Sequence, residues 1–334
     1  MSARPVEVAV VGSVNVDLVA SVERLPVRGE TVAAHGFAQL VGGKGGNQAV
    51  AAARLGRRVA LVALTGDDAE GARVRTALAA EGLDLTHLGE TATAPTGRAI
   101  VVVGQDAENH IVLVGGANAA LAEEHLAAAD DVLRTARVVV VQLEVPVPTV
   151  LAAAHRAAGT LVLNAAPAQE LPWELLERVD VLVVNEVEYA AVLGRPVPPD
   201  PADVPAHVAD EGLTCAVVVT LGARGAVLCD AGGLVHAAPP TVAVRDTTGA
   251  GDTFVGALAD ALSRDLPPRD ALRWAVHAAA LSVGSLGATT GMPTRAQVEA
   301  SLAGDDVDAG DDGGAGDGRD GTEGDSGGPG ATPA

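Results

Sequence analysis

Short, continuous apolar runs alternate with Ala- and Leu-rich helical patterns along most of this chain, and this alternation constrains the fold most. Residues 138–143, 160–164, 179–184 and 215–220 are runs rich in Val and Leu, each followed by a polar or glycine-containing segment. Continuous apolar runs of this length are typical of strands that are buried on both faces. Repeated strand–helix units predict an α/β fold, with a mainly parallel sheet that is covered by helices on both sides.

The same patterns predict the remaining elements. Further strands are expected at 6–11, 17–22, 30–40, 59–64, 97–103, 110–114 and 225–230, and helices at 48–55, 67–80, 148–158, 186–193, 203–212, 250–262, 268–283 and 294–302. The early strands within about 14–41 and 97–115 do not alternate with helices. They predict a small β-sheet lid, with a turn at 105–109, that closes over a site. Residues 304–334 are rich in Gly and Asp, which predicts a disordered acidic tail.

Charge and composition exclude several classes of function. The formal net charge is −21, of which −8 lies from Asp305 onward, so the chain should repel nucleic acids and anionic membranes. The N-terminus has no signal-peptide pattern and no apolar run approaches the ~20 residues of a membrane span, so we expect a cytoplasmic protein. Cys215 and Cys229, the two cysteines, lie in apolar runs and are expected to be buried thiols rather than a redox or zinc site.

A glycine-rich segment contains the single lysine of a chain that has 21 arginines. Lys44 lies in Val41-Gly42-Gly43-Lys44-Gly45-Gly46-Asn47 and carries a compact charge on a slim side chain. We interpret this segment as a loop in which a point charge fits and an arginine would not. Chance placement of one lysine is the alternative.

A second small-residue segment, Asp246-Thr247-Thr248-Gly249-Ala250-Gly251-Asp252-Thr253-Phe254, leads into a predicted helix. Free amides in the first turn of a helix, together with its dipole, form an anion site. Asp252 places a carboxylate beside these amides, which suits a general base next to a transferring phosphoryl group. A simple helix-capping role for Asp252 remains the alternative.

Polar residues follow several predicted strands, at the edge where open parallel sheets bind ligands. They are Asn15 and Asp17, Glu144, Asn185 and Thr220. The familiar signatures of a P-loop, a dinucleotide fingerprint, a zinc hydrolase and a nucleophile elbow are all missing. We therefore expect these strand ends to converge on the Asp252 turn.

These motifs resemble the phosphofructokinase-B family of sugar and nucleoside kinases over about residues 5–303. The two glycine-rich segments carry this resemblance. The stretches 12–17, 115–118, 142–144, 164–168 and 184–188 narrow it to members that phosphorylate D-ribose. The resemblance implies a three-layer αβα sandwich with a mainly parallel central sheet and a small β-sheet lid. It also implies one kinase domain over 1–303, followed by the tail at 304–334.

The resemblance further implies transfer of the ATP γ-phosphoryl group to the 5-hydroxyl of D-ribose, with Asp252 as the base. Charge would be held by the amides of the catalytic residues Gly249, Ala250, Gly251 and Asp252. The sugar would be bound by Asn15, Val16, Asp17, Gly43, Lys44, Gly45, Gly46, Asn47, Glu144 and Asp252. ATP would be bound by Asn185, Thr220, Leu221, Gly222, Ala223, Arg224, Gly225, Gly251, Asp252 and His277, although His277 could equally be a packed core residue.

The resemblance also implies metal sites and a partner. Glu188 would hold hydrated Mg²⁺. A monovalent cation, usually K⁺, would lie at Asp246, Thr248, Ser282, Ser285, Gly287 and Gly291. The lid would form a homodimer contact.

Three alternatives remain open. Another acceptor, such as deoxyribose, fructose or adenosine, would keep the same chemistry, although the 1% aromatic content argues against a nucleoside. A non-catalytic binding protein on the same fold would lack the need for Asp252. A dehydrogenase is the most distant of the three.

Overall fold

A nine-stranded sheet between two layers of helices dominates the computed structural model, which describes residues 5–104 and 109–311. The strands are β1 (Val8–Val11), β2 (Asn15–Val22), β3 (Ala34–Gly42), β4 (Val59–Gly66), β5 (Leu88–Thr91), β6 (Gly97–Val103), β7 (Asn109–Val114), β8 (Val138–Val141), β9 (Thr160–Asn164), β10 (Val181–Asn185), β11 (Ala216–Thr220), β12 (Ala226–Asp230) and β13 (Gly233–Ala237). The helices are α1 (Lys44–Arg54), α2 (Ala69–Ala80), α3 (Glu123–Ala128), α4 (Asp130–Thr135), α5 (Val147–Arg156), α6 (Trp173–Leu176), α7 (Glu186–Leu193), α8 (Val204–Asp210), α9 (Ala250–Ser263), α10 (Pro268–Ser282) and α11 (Arg295–Asp311).

The large sheet has the order β13-β12-β11-β10-β9-β8-β1-β4-β5. The pairs from β11 to β5 are all parallel, and only the β11–β12 and β12–β13 pairs are antiparallel. The carboxyl ends of the parallel strands therefore meet at one edge of the sheet. This confirms the predicted α/β class.

Both faces of the large sheet are buried, as the continuous apolar runs predict. Val8 and Val10 of β1 belong to a core that is shared with α1, α2, α9, α10 and α11. Ala9 and Val11 point the other way, into a core that is shared with α3 to α8. Cys215 and Cys229 are buried free thiols in the second core, as expected. Among the described residues, no helix is long and apolar enough to cross a bilayer.

The early strands form a separate sheet of order β3-β2-β6-β7, which confirms that the chain has a small second sheet. β2 pairs parallel with β6, and the other two pairs are antiparallel. Since only residues 12–14 separate β2 from β1, this sheet starts at the edge of the large one. Most of the turn expected at 105–109 lies outside the described residues.

The sequence patterns missed several short elements. β5, β13, α3, α4 and α6 were not predicted, because four to six residues carry little periodicity. α11 continues to Asp311 rather than ending at 302, and Asp305 Oδ2 lies 3.0 Å from His277 Nε2 on α10. Such a contact between distant elements cannot be read from local composition. Most of the expected acidic tail lies outside the described residues.

Helices α1 and α9 pack so closely that only glycine fits at one point of the contact. A Cβ on Gly256 of α9 would lie 2.6 Å from the backbone oxygen of Gln48 and 2.5 Å from the Cβ of Ala51, both on α1. These distances are too short for any side chain, so Gly256 fixes the spacing of the two helices.

We predict that Gly256→Ala destabilises the protein by about 1–3 kcal/mol, although alanine favours helix, because α1 and α9 must move apart. Gly304→Ala on α11 is the matched control, because a Cβ there meets open space. Helix propensity alone should make this control more stable by roughly 0.5–1 kcal/mol. Urea unfolding of both variants measures the two changes. A stabilised Gly256→Ala variant would contradict the close-packing account.

Candidate active site

The polar residues expected at the strand ends lie at one edge of the large sheet. Asn185 and Thr220 end β10 and β11, and Glu144 follows β8. Asn164, which was not among the expected residues, ends β9 at the same edge. The first turns of α1 and α9 reach the same edge. The structure therefore brings the predicted residues together around Asp252.

Asp252 is held by two consecutive side chains of α1. Asn47 Nδ2 donates to its Oδ2 at 2.9 Å, and Gln48 Nε2 donates to its Oδ1 at 3.0 Å. Asp252 itself is 7% exposed and lies in the first turn of α9. Because both oxygens contact another helix, Asp252 is more than a local cap of its own helix.

Lys44 is the first residue of α1, which corrects the interpretation that it lies in a loop. The helix can start there because its first amides have acceptors from other parts of the chain. The Lys44 amide donates to Glu144 Oε2 at 3.2 Å, and the Gly46 amide donates to the Ser13 carbonyl at 2.9 Å. Ser13 Oγ, which also donates to Glu144, accepts from the Gly45 amide at 3.4 Å. These partners occupy the amides of Gly45 and Gly46, which were expected to bind the sugar.

Glycine is required where α1 begins, because the helix lies directly against the β1–β2 connection. Gly43 has φ +90°, and a Cβ there would lie 2.7 Å from the Cα of Val14. A Cβ on Gly45 would lie 2.7 Å from the backbone carbon of Gly12. Gly43 and Gly45 therefore serve the close approach of two backbone segments.

The Lys44 side chain lies among three carboxylates. Burial alone would lower the pKa of Lys44, but Asp252, Glu144 and Glu188 together raise it above its ordinary value. The ammonium group is therefore firmly charged. It offsets part of the negative charge that converges on this edge of the sheet.

Asn15 and Asp17 are on β2, at the base of the small sheet. Asn118 Nδ2 donates to Asn15 Oδ1 at 2.8 Å and to the Val14 carbonyl at 3.1 Å, which fixes the Asn15 side chain. Val16 is fully buried in the core, so only its backbone can reach a ligand. Asp17 Oδ1 is buried and has no hydrogen-bond partner among the described residues. Burial, with repulsion from Glu144 and Asp252, raises the pKa of Asp17 to about 7.

The turn before α9 offers free amides, as predicted. Gly249 has φ +77°, and a Cβ there would lie 2.3 Å from the Ala288 carbonyl, so no other residue fits. Among the described residues, the amides of Gly251 and Asp252 have no backbone acceptor. The Ala250 amide donates to the Thr247 carbonyl at 3.2 Å, which takes Ala250 out of the expected set of free donors. A Cβ on Gly251 would meet open space, so this face of the turn is accessible.

A cavity of about 490 Å³ lies beside this turn. This volume is within the usual range for a small-molecule site. Its lining is mostly apolar and consists of Thr220, Gly222, Ala223, Gly225, Pro239, Pro240, Thr241, Val242, Val244, Thr247, Ala250, Gly251, Phe254, Val276, Ala279, Ala280 and Val283. Five of the residues expected to bind ATP are in this set: Thr220, Gly222, Ala223, Gly225 and Gly251. Leu221 is buried, and Arg224 pairs with Glu186 at 2.6 Å instead.

The structure does not bring His277 to this cavity. Its Nδ1 lies 2.9 Å from Ser301 Oγ and its Nε2 lies 3.0 Å from Asp305, both on α11. The cavity is lined by Val276, Ala279 and Ala280 of α10 and by Val283, which directly follows it. These residues form one helical face. His277 is one residue, or about 100°, away from that face. The reading of His277 as a packed residue fits this geometry, and direct contact with adenine does not.

Glu188 is suited to hold Mg²⁺ through water rather than directly. Its Oε2 accepts from the Asn185 amide at 2.8 Å and its Oε1 accepts from Asn185 Nδ2 at 3.0 Å. Burial raises the pKa of Glu188, against the effects of the Asn185 amide and Lys44. No group of three or more His, Cys, Asp or Glu side chains in the described part of the chain could enclose a metal. The Glu188 oxygens, each with one hydrogen bond from Asn185, keep lone pairs that could bind the waters of a hydrated magnesium ion.

The residues expected to bind a monovalent cation come from two segments. Asp246 and Thr248 precede α9, Ser282 ends α10, and Ser285, Gly287 and Gly291 lie in the loop that follows α10. Asp246 accepts from the Gly287 amide at 2.7 Å and from the Thr248 amide at 2.9 Å. Burial alone would raise the pKa of Asp246, but these hydrogen bonds bring it below its ordinary value. A Cβ on Gly291 would lie 2.0 Å from the Ser282 carbonyl and 3.2 Å from the Ser285 Cβ. Carboxylate and carbonyl oxygens, such as those of Asp246 and Ser282, fit a hard cation. The same loop contacts the Gly249 turn through the carbonyl of Ala288.

A comparison with protein-family models decides the identity of the fold. The model described as pfkB family carbohydrate kinase matches residues 6–295. The chain belongs to this family. Its two glycine-rich segments and its cavity are therefore parts of a carbohydrate kinase.

Individual proteins that are similar to this pfkB kinase are named ribokinases. It is 38% identical to a ribokinase of Haemophilus influenzae over 86% of this chain and 95% of that protein. It is 36% identical to a ribokinase of Bacillus subtilis over 89% of this chain and 99% of that protein. The solved structure of Arabidopsis thaliana ribokinase complexed with ribose and ATP matches with a TM-score of 0.83 and 34% identity, covering 90% of this chain and 99% of that chain.

Several residues of the kinase site were not assigned from the sequence. Ser13, Gln48, Asn118, Gln142 and Asn164 contact the predicted residues or one another. Four of them lie inside stretches that carried the resemblance, and Gln48 directly follows Asn47. Their polar type was the available signal, but the partner side chains of Gln48, Asn118, Gln142 and Asn164 lie 94 to 204 positions away along the chain.

We predict that Asp17→Asn stabilises the sugar-free protein at pH 8 and has little effect at pH 4. The pKa of Asp17 is raised from 3.8 to about 7, so between these values the folded state holds a proton that the unfolded state has lost. Stability is therefore lost as the pH rises through this window. Urea unfolding at pH 4, 6 and 8 measures the difference between variant and parent.

Asp84→Asn is the control of opposite sign, because hydrogen bonds from Thr86 lower the pKa of Asp84. This variant should lose stability at pH 8 and lose less as the pH falls. A pH-independent difference between Asp17→Asn and the parent would contradict the burial of an ionisable Asp17.

Proposed function

We propose that this chain phosphorylates D-ribose at the 5-hydroxyl, with ATP as the phosphoryl donor. The observation that carries the proposal is the position of the Asp252 carboxylate, which lies beside free amides, next to the cavity, and within hydrogen-bond distance of α1. The named activity of relatives at 36–38% identity supports the choice of substrate. So does the likeness to a solved complex with ribose and ATP.

The proposed chemistry needs one proton acceptor and a site for developing charge. Asp252 would take the proton of the ribose 5-hydroxyl. At the same time the oxygen of that hydroxyl would attack the γ-phosphorus, and the bond between the γ-phosphorus and the ADP oxygen would break. The amides of Gly251 and Asp252 would stabilise the charge on the transferred group. Phosphoryl transfer depends mainly on positioning and electrostatic stabilisation, and this turn supplies both.

The sugar would lie between the small sheet and the first turn of α1. Asn15, Asp17, Asn47 and Glu144 offer side-chain partners for several hydroxyl groups, and Lys44 offers a cation. Asn118 and Ser13 would keep two of these partners in place. The nucleotide would occupy the cavity, with its base against apolar walls and its phosphates at the Gly251 turn.

We further propose two cations. Glu188 would hold Mg²⁺ through water, and the ion, when bound to the phosphates, would neutralise part of their charge. Asp246 and the loop over 282–291 would hold K⁺. The Asp246 carboxylate and the loop contact with Gly249 would couple the cation to the amides of the turn.

The small sheet would act as a lid and as a homodimer contact. Its strands β3, β6 and β7 expose a row of large apolar residues: Phe37, Leu40, Ile100, Ile111, Val112, Leu113 and Val114. Exposed apolar surface of this extent is typical of an interaction site. We also retain the proposals of a single kinase domain, of an acidic extension after it and of a cytoplasmic location. Because α11 continues to Asp311, the expected boundary at 303 falls inside a helix.

We predict that Asp252→Asn lowers kcat for ribose by roughly 10²–10⁴, the usual contribution of a positioned general base. Asp270→Asn is the matched control, because Asp270 is an exposed acid in the first turn of α10. That control should keep the parental kcat. Full turnover in Asp252→Asn would reject the base.

The substrate is tested by a coupled ADP-release assay with ribose, deoxyribose, fructose and adenosine, each with and without K⁺. We expect the highest kcat/KM for ribose and a higher rate with K⁺ than with an equal concentration of a bulky organic cation. Asp246→Ala should remove the K⁺ effect while ribose stays preferred. A preference for another acceptor would overturn the ribose assignment and leave the kinase chemistry standing.

A further inference from the structure

A buried amide side chain behind Asp252 has no role in the proposed chemistry. Gln48 is 0% exposed, and its Nε2 donates both hydrogens: one to Asp252 Oδ1 and one to Asn164 Oδ1, each at 3.0 Å. Its Oε1 accepts from Gln142 Nε2 at 2.7 Å. All the hydrogen-bonding groups of the Gln48 amide therefore have partners, and none faces the cavity.

The surroundings fix which way this amide points. Asp252 offers an acceptor, and Asn164 directs its Nδ2 to the Val183 carbonyl at 3.4 Å and so turns its Oδ1 to Gln48. The nitrogen of Gln48 must therefore face these two oxygens, and its oxygen must face Gln142. A flipped amide would place the Gln48 oxygen against the oxygens of Asp252 and Asn164, where it would find no donor from either. Gln142 lies tightly against Gly12, where a Cβ would come within 1.9 Å of its Oε1, and the Gln48 backbone oxygen lies tightly against Gly256.

The two hydrogen bonds on Asp252 act at different oxygens. Gln48 holds Oδ1 and Asn47 holds Oδ2. The terminal torsion of an aspartate side chain is broad and poorly fixed by its own geometry. Donors on both oxygens remove this freedom, and each carboxylate oxygen still has a lone pair for a substrate hydroxyl.

We propose that Gln48 is a positioning residue that fixes the Asp252 carboxylate in the orientation needed to accept the sugar proton. This inference rests on the proposed function, in which Asp252 is the base. Gln48 is fully buried and its amide groups are bonded to other side chains, so it offers none to the sugar. Its loss should therefore change the chemical step and leave sugar binding intact. Loss of an interaction that acts only in the transition state lowers kcat without raising KM.

A double-mutant cycle with Gln48→Met and Asp252→Asn tests this inference. Gln48→Met keeps the length of the side chain and removes its donor. We expect kcat to fall about 10- to 100-fold, because small misplacement of a reacting group has effects of this size, with the KM for ribose unchanged within about threefold. In the Asp252→Asn background the same change should alter kcat less than about twofold, since interacting residues are not additive.

Gln48→Glu gives a second test, whose result does not depend on how a methionine packs at this position. Its carboxyl group can donate to Asp252 only when it is protonated, so its activity relative to the parent should rise as the pH falls from 9 to 6. Gln297→Met, which replaces an exposed glutamine of α11, is the control for the substitution itself and should keep the parental kcat. Unfolding midpoints of all variants show whether a loss of activity reflects a loss of fold.

The outcomes separate the inference from the proposed function. An Asp252→Asn variant with full activity overturns the assignment of the base, and this inference with it. An impaired Asp252→Asn variant in which Gln48→Met still lowers kcat by the same factor overturns the inference alone. A raised KM with unchanged kcat in Gln48→Met, or a Gln48→Glu activity ratio that does not change with pH, also overturns it.

Discussion

The close contact between helices α1 and α9 is the constraint on which the site depends. Gly256 lets the two helices approach until the backbone of one touches the other. At that spacing, Asn47 and Gln48 reach both oxygens of Asp252, one turn before Gly256. The geometry of the Asp252 carboxylate is thus set by a backbone contact between segments that lie about 200 residues apart.

Electrostatic balance at the sheet edge follows from the same arrangement. Asp17, Glu144, Glu188 and Asp252 all approach the place where α1 begins, and Lys44 is charged among them. Burial is the main cause that raises the pKa of Asp17, and repulsion from Glu144 and Asp252 adds to it. Free amides at Gly251 and Asp252 add positive potential without a further cationic side chain. Such amides suit a nucleotide site on a protein whose net charge is −21, because the nucleotide is also negatively charged.

The sequence predicted the parts of this molecule that are encoded locally. Apolar runs identified the strands of the buried sheet, because burial on both faces needs continuous hydrophobicity. The small-residue turn before Asp252 was also recognisable, since its glycines serve a local backbone shape. The start of α1 at Lys44 was not predicted, because Ser13 and Glu144 supply the acceptors for its first amides from the connections that follow β1 and β8. Gln48 and His277 were missed or misassigned for the same reason: helix periodicity gives a face but not the neighbour that packs against it.

The most direct measurement is a crystal structure of the protein with ribose and a non-hydrolysable ATP analogue. The account predicts an Asp252 carboxylate oxygen within about 2.6–3.2 Å of the ribose 5-hydroxyl oxygen. It also predicts that the γ-phosphate analogue lies on the amides of Gly251 and Asp252. A sugar whose 5-hydroxyl lies far from Asp252, or a γ-phosphate bound away from this turn, would contradict it.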